Sequence, residues 1–172
     1  MKIVLLGYMA SGKSAVGTIL ANQLEFQFID LDSFIEENEK MTISEIFKEK
    51  GEIYFRIKEG EYLIMLLNLK NNCVISLGGG TPCYGNNMEI IKNLSISFYL
   101  KASINTIFER LEGETSERPL VATIGKENLK EYIAKHLFER NLFYEKATHT
   151  ILVDNKNIFK ITNDIISKIT LK

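Results

Sequence analysis

Residues 7–14 read Gly7-Tyr8-Met9-Ala10-Ser11-Gly12-Lys13-Ser14, which completes the pattern G-x-x-x-x-G-K-S. The apolar run Ile3-Val4-Leu5-Leu6 precedes it and a helical stretch follows. The motif therefore sits where a strand turns into a helix. A glycine-rich turn in that setting lets successive backbone N–H groups converge on phosphate oxygens, with the positive end of the helix behind them. Lys13 is placed to reach the β- and γ-phosphates, and the Ser14 hydroxyl to ligate Mg²⁺. The stretch is read as a phosphate-binding loop, and the chain as a binder of nucleoside triphosphate.

Outward from the loop, short β-type runs alternate with helical segments, as in a parallel sheet covered on both faces. Strands are predicted at Lys2–Leu6, Phe26–Leu31, Cys73–Leu77, Ile96–Leu100 and Thr150–Val153. Helices are predicted at Lys13–Leu24, Ser33–Glu39, Ile43–Lys50, Tyr54–Leu69, Ile104–Leu111 and Ile158–Ile169. Thr42 with Glu45 forms a capping box for the third of these, and the last shows apolar residues at helical spacing. The fold class is thus α/β, three layers α/β/α around a five-stranded parallel sheet, in a single domain over 1–172. Residues 112–126 are polar, contain Gly113, Pro119 and Gly125, and lack periodicity. A loop of that length in a compact domain is usually functional, often a mobile lid. Ligands of parallel open sheets bind beyond the carboxyl ends of the strands. The phosphate loop, Asp30 with Asp32, and Gly78-Gly79-Gly80 end the first three strands, so they share one rim.

Composition narrows the function classes. The 172 residues carry 21 Lys and Arg against 22 Asp and Glu, a net charge of −1. That balance offers no basic field for nucleic acid or an anionic membrane. The two cysteines, Cys73 and Cys83, are too few for a disulfide framework and lack metal-ligand spacing. No apolar stretch approaches the length of a membrane span, and no targeting segment is read. A cytoplasmic enzyme fits these features. His136 and His149 are isolated and are expected to be surface or core residues, and Phe138, Phe143 and Tyr144 to pack.

The motifs taken together resemble shikimate kinase along essentially the whole chain. They are Gly7–Ser14, Asp30-Leu31-Asp32, Phe55-Arg56 with Glu59, Leu77-Gly78-Gly79-Gly80, Arg118-Pro119-Leu120, and Arg140 with Tyr144. The resemblance implies a P-loop kinase-like fold with a lid at about 112–126. It implies transfer of the ATP γ-phosphoryl group to the 3-hydroxyl of shikimate, a step of chorismate and aromatic amino acid biosynthesis. Shikimate kinases are usually monomeric. The partners are then ATP and shikimate, with Mg²⁺ as cofactor held by Ser14 and, through water, by Asp30.

Roles follow from the same resemblance and the chemistry each side chain permits. Lys13, Asp32 and Arg118 carry the chemistry: Asp32 orients the acceptor hydroxyl and accepts its proton, and Arg118 swings in from the lid over the γ-phosphate. Gly7, Ala10, Ser11, Gly12, Lys13, Ser14, Ala15, Arg110 and Arg118 face ATP, with Arg110 stacking on adenine. Asp32, Arg56, Gly78, Gly79, Gly80 and Arg140 face shikimate, the two arginines clamping its carboxylate through their planar forks. Ala10 stands where glycine is usual and implies a slight loss of backbone freedom. Ala15 stands where threonine is common, and so lacks a hydroxyl for the α-phosphate. Two rivals remain: another P-loop small-molecule kinase, for gluconate or a nucleoside monophosphate, and a nucleotide-binding module without phosphotransfer.

Overall fold

The computed structural model of the chain describes residues 1–113 and 124–170. Five strands, β1 (Lys2–Leu6), β2 (Gln27–Asp30), β3 (Cys73–Ser76), β4 (Ile96–Lys101) and β5 (His149–Leu152), form one parallel sheet in the order β2-β3-β1-β4-β5. Every residue of β1 and β3 is buried. Continuous apolar runs, rather than alternation, are what a strand covered on both faces requires. The core is built on Ile3, Leu5, Val74, Ile75, Phe98 and Leu100.

The helices are α1 (Lys13–Leu24), α2 (Leu31–Glu39), α3 (Ile43–Glu49), α4 (Gly51–Leu67), α5 (Asn87–Leu94), α6 (Ile104–Gly113), α7 (Lys126–Tyr144) and α8 (Ile158–Thr170), with a short 3₁₀ turn at Thr81–Cys83. α1 packs on β1, β2, β3 and α8, while α4 packs on α2, α3 and α5. Among the described residues no helix is long and apolar enough to cross a membrane.

Most predicted elements form, with shifted ends. The Thr42–Glu45 capping box is present, the Glu45 N–H donating to Thr42 Oγ1 at 3.2 Å and the Thr42 N–H to Glu45 Oε2 at 2.7 Å. Gly51, with a left-handed φ of 85°, follows the C-cap of α3 and starts α4 at once, three residues before the predicted Tyr54. Two helices were not anticipated. α5 is short and flanked by turn-forming residues. α7 buries Leu129, Ile133 and Leu137, but Phe138 and Leu142 on the same helix are 82% and 72% exposed. Those two outward apolar residues blur the periodicity that would mark an amphipathic helix. They also correct the packing role expected of Phe138. The segment 112–126 begins inside α6 and ends on the first residue of α7, and residues 114–123 lie outside the described residues.

Candidate active site

One register aligns three strand ends. Leu5 of β1 pairs with Ser76 of β3, and Ser76 pairs in turn with Asp30 of β2. The chain after each of these residues leaves the sheet at the same level, which brings together the phosphate loop, the Asp30–Asp32 segment and the triple glycine. β1 is also the strand on either side of which the connections diverge, toward β3 and β2 on one flank and β4 and β5 on the other. Ligands of open α/β sheets lodge at such a switch point.

The loop after β1 is held by close approaches. Gly7 has φ 147°, and a Cβ there would stand 2.8 Å from the carbonyl oxygen of Leu100. Gly12 has φ 95° and caps α1 without any side-chain hydrogen bond, so the first N–H groups of α1 point to the loop cavity rather than to a capping oxygen. Lys13 Nζ donates to the carbonyls of Gly7 at 3.0 Å and Tyr8 at 2.9 Å. Arg110 Nη1 donates to the Ala10 carbonyl at 2.9 Å. Ser11 Oγ is buried and has no hydrogen-bond partner among the described residues. Ala10 adopts φ 58°, a left-handed conformation that costs a residue with a Cβ about 1–2 kcal/mol. The expected slight loss of freedom is therefore a definite strain. Ala10→Gly should raise stability by about 0.5–1 kcal/mol once the entropy of glycine in the unfolded chain is subtracted. Thermal unfolding would show it as a Tm increase of roughly 1–4 °C.

The two aspartates divide their work. α2 starts at Leu31 rather than Ser33, with Asp30 as its N-cap: Asp30 Oδ1 accepts the N–H of Asp32 at 3.1 Å and of Ser33 at 3.4 Å. Its other oxygen, Oδ2, accepts the Ser14 hydroxyl at 2.8 Å. One carboxylate thus fixes α2 and faces the phosphate loop together. Asp32 is not the cap. Burial pushes its carboxyl up to about 6, and the charges of Asp30 and Glu59 push the same way while Lys13 opposes them. A carboxyl raised toward neutrality in this way is suited to accept a proton.

The triple glycine gives each of three charged side chains a place to lie. A Cβ on Gly78 would stand 2.8 Å from Asp32 Oδ1, one on Gly79 3.5 Å from Arg140 Nη1, and one on Gly80 2.8 Å from Arg56 Nη2. The wall expected to admit a ligand ring therefore also admits the protein's own acid and arginines. Arg56 Nη1 donates to Glu59 Oε2 at 2.9 Å, and its guanidinium lies 5.1 Å from the Phe55 ring centroid. The Arg140 guanidinium lies 5.5 Å from the Tyr8 ring centroid. Tyr144, fully buried, donates from its hydroxyl to the Gly79 carbonyl at 2.5 Å. At 80 a Cβ would displace the end of the Arg56 side chain, whereas at 78 it would meet Asp32 Oδ1 and, 3.1 Å away, the buried Thr81 Oγ1, so alanine at 80 costs the fold less than alanine at 78. Gly78→Ala should lower kcat and Gly80→Ala should raise the acceptor KM, each roughly 10–100-fold, with Tm nearly unchanged in Gly80→Ala and lowered in Gly78→Ala. Steady-state kinetics on both variants checks this separation.

A cavity of about 600 Å³ opens at this rim. Ala10 through Ala15, Asp30, Asp32, Gly78, Gly79 and Arg110 line it. Arg56, Gly80 and Arg140 are not on its wall; they stand next to it, across the glycine loop. Sequence reasoning missed Lys156 and Ile158, which line the cavity along with Arg110. The preceding Asp154 anchors the loop there, accepting the Ser103 N–H at 2.9 Å. A lysine in a short polar loop carries no motif. Glu59 was quoted only as part of a motif, yet it is 1% exposed and holds Arg56. His136 packs edge-on to Tyr132, ring centroids 4.0 Å apart, and His149 lies 5.1 Å from the Phe98 ring. Arg118 lies outside the described residues.

A phosphate loop at a switch point, an aspartate pair beside it and guanidinium groups across one loop define a P-loop phosphotransferase acting on a small anionic acceptor. Comparison with known proteins narrows this. The family model "Shikimate kinase" matches residues 9–170. A shikimate kinase of Flavobacterium johnsoniae is 48% identical over 166 residues, 96% of each chain. The solved shikimate kinase of Bacteroides thetaiotaomicron superposes with a TM-score of 0.92 at 32% identity, covering 99% of this chain and 98% of that one. That of Acinetobacter baumannii, solved in complex with shikimate, gives 0.87 at 31% identity, covering 98% and 92%. The chain belongs to the shikimate kinase family, whose members are ATP-dependent transferases.

Proposed function

We propose that this chain moves the γ-phosphoryl group of ATP to the 3-hydroxyl of shikimate, releasing ADP and shikimate 3-phosphate. The observation that carries the residue assignment is the shared register of β1, β3 and β2, which sets the phosphate loop, Asp32 and the triple glycine on one rim. In this reading the loop amides, Ser11, Lys13 and Ser14 hold the phosphates, and Arg110 with Lys156 borders the base. Arg56 and Arg140 grip the acceptor carboxylate, with Gly78, Gly79 and Gly80 against the ring. Asp32 orients the 3-hydroxyl and takes its proton as the new O–P bond forms and the bond from Pγ to the β,γ-bridging oxygen breaks. The electron pair of that bond leaves with ADP.

For such a loose transition state, placement and electrostatic stabilisation outweigh basicity. Ser14 Oγ and Asp30 Oδ2, 2.8 Å apart at the mouth of the loop, are the hard oxygen donors that Mg²⁺ takes alongside phosphate and water. When bound, Mg²⁺ neutralises charge between the β- and γ-phosphates. On sequence grounds Arg118 covers the γ-phosphate from a lid at about 112–126. The whole chain then acts as one monomeric kinase domain in the cytoplasm, where the free thiols of Cys73 and Cys83 stay reduced.

The test is a coupled assay of ADP release with ATP and Mg²⁺, comparing shikimate, gluconate and nucleoside monophosphates. Release that depends on shikimate, at roughly 1–10³ s⁻¹, supports the reading. Release with another acceptor leaves the ATP site standing and overturns the acceptor assignments. Slow hydrolysis indifferent to every acceptor indicates a nucleotide-binding module.

A further inference from the structure

Thr81 opens the 3₁₀ turn immediately after the glycine wall and is 0% exposed. Its hydroxyl donates to Glu59 Oε1 at 2.6 Å. The other oxygen of that carboxylate, Oε2, accepts Arg56 Nη1 at 2.9 Å. Asn87, buried at the start of α5, donates from Nδ2 to the Thr81 carbonyl at 2.9 Å. The Thr81 N–H donates to the Gly78 carbonyl at 3.2 Å. Thr81 thereby ties the glycine loop, α4 and α5 at one point, directly behind the Arg56 guanidinium.

A buried carboxylate facing a guanidinium tends to take two parallel N–H bonds from it. Here the Thr81 hydroxyl bonds Oε1, Glu59 takes one N–H of Arg56 through Oε2, and the guanidinium lies against Gly80, where a Cβ would stand 2.8 Å from Nη2 and 2.9 Å from Nη1. Nη2 is then the end of the guanidinium left for a ligand carboxylate. We propose that Thr81 is a positioning residue for the acceptor: by bonding Oε1 of Glu59 it keeps the Glu59–Arg56 contact one-armed and, with Nε facing Glu52 Oε1 at 3.6 Å, leaves Nη2 of Arg56 for the acceptor carboxylate. The inference rests on the shikimate reading and specifies what tunes the acceptor side of that site. Losing the hydroxyl leaves Oε1 without this donor, which favours a second N–H bond from Arg56.

The test compares Thr81→Val, nearly isosteric but without the hydroxyl, with Thr81→Ser, which keeps it. In Thr81→Val the KM for shikimate should rise about 10-fold, with kcat and the KM for ATP within about 2-fold of the parent. In Thr81→Ser the shikimate KM should return to within about 3-fold. The preference for shikimate over its methyl ester, which lacks the carboxylate anion, should shrink in Thr81→Val and not in Thr81→Ser. Thr81→Ala, which deletes the hydroxyl with less volume to accommodate, is read in the same way if the valine protein does not fold. An unchanged shikimate KM overturns the proposal, as does a serine variant that behaves like valine or a parallel loss in kcat and ATP KM. Absence of shikimate-dependent ADP release in the parent protein is a separate outcome, which removes the acceptor reading itself.

Discussion

Exchange of Lys13 for methionine is expected to lower kcat by at least ~10³-fold while leaving the protein folded. The ammonium bonds the carbonyls of Gly7 and Tyr8, so it lies folded over the loop it serves. With nucleotide bound, those carbonyls compete poorly with phosphate oxygens, which carry full charge. The transferring phosphoryl group then loses its main fixed cation from the loop. The structural cost is smaller: two bonds from a half-buried charged group, together about 1–2 kcal/mol, a Tm decrease of roughly 2–8 °C. Stopped or steady-state ADP release reports the first quantity and thermal unfolding the second. A Lys13→Met protein with near-parental kcat would remove the loop from the chemistry.

The second large effect runs in opposite directions for activity and stability. Asp32→Asn should reduce kcat by roughly 10²–10⁴-fold, because an amide can hold the acceptor hydroxyl but cannot take its proton. The same variant should be more stable than its parent at pH 7. Burial raises the Asp32 carboxyl in the folded protein to about 6 from its ordinary 3.8. Between those values the folded state holds a proton that the unfolded state has released, so stability falls as pH rises through this window. Above about pH 6 the folded protein carries the ionised carboxylate at a penalty on the order of 2–3 kcal/mol. Asparagine avoids that penalty. Unfolding followed from pH 4 to 8 should show the stability advantage of Asp32→Asn opening as pH rises, and kcat/KM of the parent should climb through about pH 6. A flat stability difference would mean that Asp32 titrates like an exposed carboxyl.

How much of this was legible in the sequence depends on what each residue's role is made of. The phosphate loop was readable because its chemistry is local: glycine at 7 and 12, lysine at 13 and serine at 14 act through the turn they themselves form. The rim was readable because parallel strands end level, so three polar strand ends become one site. Which of Asp30 and Asp32 caps α2 was not readable, since either spacing could cap a helix; the start of α2 at Leu31 decides it. Nor was Glu59 as an organiser: its pairing with Arg56 three residues back on α4 is local, but Thr81 lies on a different element and meets it only after folding. α7 escaped because Phe138 and Leu142 face outward on a helix that the core holds through Leu129, Ile133 and Leu137. Lys156 escaped because reaching a cavity depends on where β5 delivers its loop, which no local pattern encodes.

The glycine loop after β3 also fixes where this active centre is free to diverge. Two of its three positions have no room for even a methyl group without displacing Asp32 or Arg56. On the proposed function, change in acceptor preference does not begin on that wall. It has to come from the helical side, through the neighbours of Arg56 on α4 and of Arg140 on α7. A mutational library aimed at a different hydroxy acid is best spent there, with positions 78 and 80 left as glycine.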